Sequence, residues 1–101
     1  MTDLRIAVKG EFFLMTKAGK KPWEFRDMSD YWKKRLVCRK YDTVTLALGY
    51  PKKGDTERVM TFKYNGYIRV RSTMLDRNIF ENIFNSEDKI VFAINLSERI
   101  K

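Results

Sequence analysis

Two short apolar runs, DTVTLAL at 42–48 and KIVFAINL at 89–96, limit the possible folds more than anything else in the chain. The first is strongly β-branched and predicts a central strand; the second predicts another buried strand that closes the chain. LRIAVK at 4–9 alternates, with Leu4, Ile6 and Val8 on one face. Arg58 to Val70 alternates well enough for a pair of strands broken at Asn65-Gly66, as a hairpin turn or a bulge. Between these runs lie short helical patterns. Phe12 to Thr16 fits a helix that stops at Gly19. Asp30 to Arg39 fits a second, capped by Asp27 or Ser29, with Met28, Trp32 and Leu36 as its apolar stripe. Ser72 to Phe84 fits a third, with Leu75, Ile79 and Ile83 in register. Lys21 to Arg26 is extended, because Pro22 forbids a helix interior; Trp23 and Phe25 share one face and Glu24 and Arg26 the other. Residues 49–57 form a turn-rich loop. With 101 residues, one domain over 1–101 is expected, in the α+β class. Its strands, five to six in number, would make a small, strongly curved sheet or barrel with two or three short helices.

Charge is distributed unevenly. The formal net charge is +8, and residues 17–40, with nine basic and three acidic side chains, carry +6 of it. Residues 71–88 have the opposite balance, two basic against four acidic. A local positive field of this kind points to a phosphate-bearing partner. The chain has no histidine and one cysteine, Cys38. That removes the commonest general base near neutral pH and the Ser–His and Cys–His nucleophile pairs. It also argues against a zinc site and forbids an internal disulfide, so neither metal nor cofactor is expected. Any catalysis would run on lysine and carboxylates. Cys38 itself is expected to be buried or half-buried. No apolar stretch approaches the ~20 residues of a membrane span, and MTDLRIAVKG lacks the layout of a signal peptide. A cytoplasmic monomer without membrane contact is the expectation.

The segment GKKPWEFR at 19–26 concentrates the candidate chemistry. Gly19 permits a tight turn that brings Lys21 to the mouth of a strand. Arg26 offers a planar fork of donors suited to phosphate or to a base edge. Glu24 either orients Arg26 or accepts from an exocyclic amine. In a regular strand Lys21 would face away from Glu24, so the three converge only if the chain twists at Lys21. Otherwise they are a surface ion-pair trio of little energetic value. Trp23, Phe25 and Trp32 are expected in the core. Tyr31, off the apolar stripe, is free to stack on a base. Lys33, Lys34, Arg35 and Arg39 form either a solvated helix face or a phosphate-tracking stripe. Tyr50 is a further stacking candidate, Lys52 and Lys53 extend the basic surface, and Asp42 and Glu81 are possible extra carboxylates.

These residues resemble the signature of the ASCH domains, a branch of the PUA-like superfamily. G-x-K-x-x-E-x-R is matched at Gly19, Lys21, Glu24 and Arg26. The E-F-F helix before it, the Tyr31–Leu36 segment, the YD-x-V strand (Tyr41 to Val44) and the Gly49-Tyr50 turn are also similar to small stand-alone ASCH proteins of phages and bacteria. The resemblance implies a PUA-like β-barrel whose cleft, lined by the signature residues, holds RNA or a nucleotide-like ligand. The expected nucleic-acid contacts are Lys20, Lys21, Glu24, Arg26, Tyr31, Lys33, Lys34, Arg35 and Tyr50. The alternative it implies is a hydrolase acting on RNA or a modified nucleoside. There Glu24 would be general acid or base and Lys21 would stabilise the developing anion, with the RNA 2′-hydroxyl as nucleophile. An amidohydrolase branch of the family uses a lysine matching Lys21 but has a threonine nucleophile where this chain has Glu24, so that activity is not carried over. Pro22-Trp23 is bulky for its place in the motif. A role in binding another protein is neither supported nor excluded.

Overall fold

The computed structural model describes residues 2–49 and 53–101. In chain order the elements are β1 (Asp3–Val8), α1 (Gly10–Lys17), β2 (Trp23–Asp27), α2 (Asp30–Leu36), β3 (Thr43–Leu48), β4 (Val59–Lys63), β5 (Tyr67–Arg71), a 3₁₀ turn (Ser72–Met74), α3 (Arg77–Asn82) and β6 (Ile90–Asn95). The class is α+β, as the sequence predicts. The strands form two sheets, ordered β1-β3-β4 and β2-β6-β5. β1 runs parallel to β3; the other pairings are antiparallel.

The two runs that constrained the fold lie at the two sheet centres, β3 and β6. Each is buried over nearly its whole length. On β6 the reason is visible in the alternation. Phe92 and Ile94 enter the main core with Leu4, Ile6, Leu46 and Met60, whereas Val91 enters a second cluster with Phe12, Ile79 and Phe84. A strand covered on both faces needs apolar residues at consecutive positions rather than alternate ones. β1 is covered on one face only, so it alternates: Leu4, Ile6 and Val8 are buried, Arg5 and Ala7 exposed.

Several elements depart from what local sequence predicts. Asn65-Gly66 makes no hairpin, since β4 pairs with β3 and β5 with β6. Gly66, at φ +80°, turns the chain from one sheet to the other. There Tyr67 packs edge-on against Phe92, with ring centroids 5.0 Å apart. α2 ends at Leu36 rather than Arg39; Val37 is extended, and Cys38 has φ +59° and is exposed, not buried. The third helix begins late because Asp76 caps it, its carboxylate accepting from the Asn78 amide at 2.9 Å. The residues before it are fixed by Ser72, wholly buried, whose hydroxyl donates to the Glu87 carbonyl and accepts from the Lys89 amide. Trp23 and Phe25 are half-buried, Phe25 packing against the second cluster, while Glu24 is the buried residue of β2.

Among the described residues the ladders do not close into a barrel. One seam between the sheets is stitched by the chain after β6. Its backbone bonds to β4 through Lys63 to Glu98 (2.8 Å) and Ile100 to Thr61 (2.7 Å). At the other seam no ladder joins β1 to β2. No helix among the described residues is long and apolar enough to cross a membrane.

Two outcomes follow from this packing. Phe92→Ala, emptying the centre of the core, should lower unfolding free energy by about 3–5 kcal/mol, read as a shifted urea midpoint. The second concerns pH. Burial, then the neighbouring phenols of Tyr67 and Tyr41, hold the Tyr64 pKa above its ordinary 10.0. The unfolded chain therefore loses this proton first, so the contribution is intact below about pH 10 and is lost as pH rises toward the folded value. Tyr64→Phe should flatten the loss of stability above about pH 10; an unchanged alkaline limb would count against this assignment.

Candidate functional site

The open seam is where the signature residues meet, and local chain geometry explains why. α1 ends in a Schellman motif: Lys20 donates to the Met15 carbonyl and Gly19 to that of Thr16, both at 3.0 Å, with Gly19 at φ +75°. This reversal sends Lys21 inward just before β2 begins, outside the strand's alternation. That is the twist the convergence required. Lys21 Nζ then lies 2.5 Å from Glu24 Oε1, and Arg26 donates to Glu24 Oε2 through Nε at 2.9 Å and Nη2 at 2.6 Å.

Burial separates this trio from an ordinary surface cluster. Lys21 is 4% and Glu24 3% exposed; the Arg26 side chain is 25% exposed. Three of roughly four acceptor directions on the Glu24 carboxylate are occupied. Lys21 has one donor on Glu24, and its ammonium sits 5.7 Å from the Phe12 ring centroid. Among the described residues no other acceptor takes its remaining two N–H groups.

Arg26 also crosses the seam. Its Nη2 donates to the Ala7 carbonyl at 3.0 Å, and Arg35 Nη2 donates to the Arg5 carbonyl at the same distance. Arg5 and Ala7 are alternate residues of β1, so both carbonyls point to its free edge. Two guanidinium groups thus cover an edge that would otherwise be open to another strand. Both guanidinium groups lie against Trp32, whose ring centroid is 5.1 Å from each Arg Cζ.

Two concavities flank this arrangement. The first, about 570 Å³, has Lys21, Glu24 and Arg26 in its wall, with Lys9, Phe12 and Lys89 around them. The second, about 680 Å³, is walled by Arg5, Tyr31, Trp32 and Arg35. Lys89 closes the far side of the first by pairing with Asp27 at 3.2 Å and Glu87 at 3.4 Å. Burial works against its charged form, but the bonds and attraction to Asp27 and Glu87 outweigh that and hold its pKa above 10.5.

No protein-family model, curated protein or solved structure matches the chain.

Of the residues singled out in the sequence, Lys21, Glu24, Arg26, Tyr31 and Arg35 come together. Lys20 lines neither concavity but an adjoining groove with Pro22 and Trp23, which Lys21 and Phe25 also border. Lys33 and Lys34 are exposed on α2 and line neither concavity, and Tyr50 lies outside the described residues, as does Lys52. Asp42 accepts from the Thr2 amide and Glu81 from Arg77; neither reaches the seam. Arg5, Lys9 and Lys89 were not foreseen. The exposed alternation of β1 flags Arg5 as outward-facing, but nothing local says that its strand borders Arg35. Trp32 is both a core residue, packed against the main cluster, and part of the cleft wall. Among the described residues no group of three or more His, Cys, Asp or Glu side chains could hold a metal ion.

Removing one member of a buried ion pair strands the other. Glu24→Leu should therefore lower stability by about 3–5 kcal/mol, and Lys21→Met combined with Glu24→Leu should recover most of that loss. Equilibrium urea unfolding of both variants checks this. A double variant no more stable than Glu24→Leu alone would show that the cost lies in shape rather than charge.

Proposed function

We propose that this chain binds single-stranded RNA in the cleft between β1 and β2, as an ASCH-type domain with a PUA-like barrel opened along that seam. The observation that carries the proposal is the state of Lys21: an ammonium almost wholly buried, with one donor used, in the wall of a cleft. A buried cation with spare donors is costly unless a guest completes it. Two cations share one carboxylate, so the trio has a formal charge of +1, and Lys9, Arg5 and Arg35 add positive charge along the same seam. An anionic guest is favoured. Aromatic rings beside these charges suit unstacked bases, which single-stranded RNA exposes.

Hydrolysis would ask Glu24 to take or give a proton in the cleft. Its oxygens are held instead by Lys21 and Arg26, which favours binding over turnover.

Fluorescence anisotropy with a labelled single-stranded RNA tests the proposal. If three or four phosphates are neutralised, affinity should fall about 20- to 50-fold between 50 and 200 mM salt. Lys21→Met, confirmed folded by circular dichroism, should weaken binding at least tenfold, and Arg5→Gln should make the log–log salt slope shallower by about 0.7. RNA affinity indifferent to Lys21→Met would end the proposal.

A further inference from the structure

The two concavities are not independent. They share Ala7, Arg26, Trp32 and Gly49, so Arg26 and Trp32 form a saddle between them. Each lobe alone has the volume of a small-ligand site. One holds the buried trio and the Phe12 ring. The other is bounded by Tyr31, 56% exposed, whose ring lies 5.2 Å from Trp32 and 5.4 Å from the Arg35 guanidinium.

The saddle is built to hold still. Arg26 is fixed by Glu24 and the Ala7 carbonyl; Arg35 is fixed by the Arg5 carbonyl and by the Tyr31 hydroxyl, to which its Nη1 donates at 2.9 Å. Their anchor carbonyls are two residues apart on β1, about 6.6 Å along the strand. Arg26 Nη1 has no acceptor among the described residues, so a donor pair remains at the point where the lobes join. Exposed lysines such as Lys33 would have to be ordered on binding, whereas these forks are ordered beforehand.

Resting on the reading of this cleft as an RNA site, we infer that it takes two consecutive nucleotides. One base enters the trio lobe, the next stacks at Tyr31 and Trp32, and the phosphodiester joining them lies over Arg26. The unit recognised is a dinucleotide step within a strand, not a free mononucleotide and not a duplex, whose paired bases cannot separate into two lobes.

Calorimetric titration with AMP, ApA and ApApApA separates the possibilities. ApA carries less negative charge than AMP, so tighter binding of ApA cannot come from charge alone. We expect ApA to bind at least tenfold more tightly than AMP, and ApApApA to improve on ApA by less than about threefold beyond its added phosphates' salt-dependent part. Tyr31→Ala, a change at an exposed position, should weaken ApA roughly tenfold and AMP much less. Arg5→Gln, which alters the second lobe without touching the trio, should act in the same direction. If AMP binds as tightly as ApA, and through Lys21, the dinucleotide inference is wrong while the RNA site stands. If neither binds and longer RNA does not either, both fall. Equal loss of AMP and ApA affinity in Tyr31→Ala would also overturn the two-lobe assignment.

Discussion

The Glu24 carboxylate is the point on which the open side of this molecule depends. It lies on β2, holds the ammonium of Lys21 from the preceding loop, and holds the guanidinium of Arg26, which in turn bonds across to Ala7 on β1. Elsewhere the two sheets are joined by apolar packing and by the backbone of the chain end. At this seam they are joined by charge. Such a junction is expensive, because buried ions lose their hydration and regain only part of it from one another. A well-packed apolar seam would serve stability as well or better. Keeping three ionised groups there is understandable if the seam must also stay polar and accessible to a charged guest.

The arginines show how one group meets two demands. A strand edge with unpaired carbonyls invites association with another chain. Arg26 and Arg35 satisfy alternate carbonyls of β1 while keeping part of each guanidinium at the cleft surface, and Trp32 supports both. Capping the strand edge and lining the cleft are therefore not alternatives at these positions. The exposed lysines of α2 differ. Among the described residues Lys33 and Lys34 are exposed, line neither concavity, and add positive charge to the field around the seam rather than to its wall.

Much of the site was legible because its spacing has a local cause. Gly19 ends a helix in a left-handed turn, Lys21 follows at the inward position, and Glu24 and Arg26 alternate onto one face of β2. Each step involves neighbours in sequence. Trp23 was misjudged because aromatic size suggests burial, yet it packs in neither cluster, whereas Phe25 packs against the second; Glu24 takes the buried position of β2, which its two cations make tolerable. The supposed hairpin at Asn65-Gly66 failed for another reason. A turn dipeptide says that the chain reverses, not which strand it then finds, and the central position of β6 offered β5 a better partner than β4.

By itself the sequence determined the α+β class, the two strands that occupy the sheet centres, the helix stop at Gly19 and the grouping of lysine, glutamate and arginine, because apolar periodicity, turn chemistry and short-range spacing are written in adjacent residues. Only the tertiary structure decided that the sheets leave one seam open, that Arg5, Lys9 and Lys89 border it, and that Trp32 stands where two lobes meet. These depend on contacts between residues some 20 to 60 positions apart, whose pairing is chosen by the packing of the whole core and leaves no mark on either local stretch.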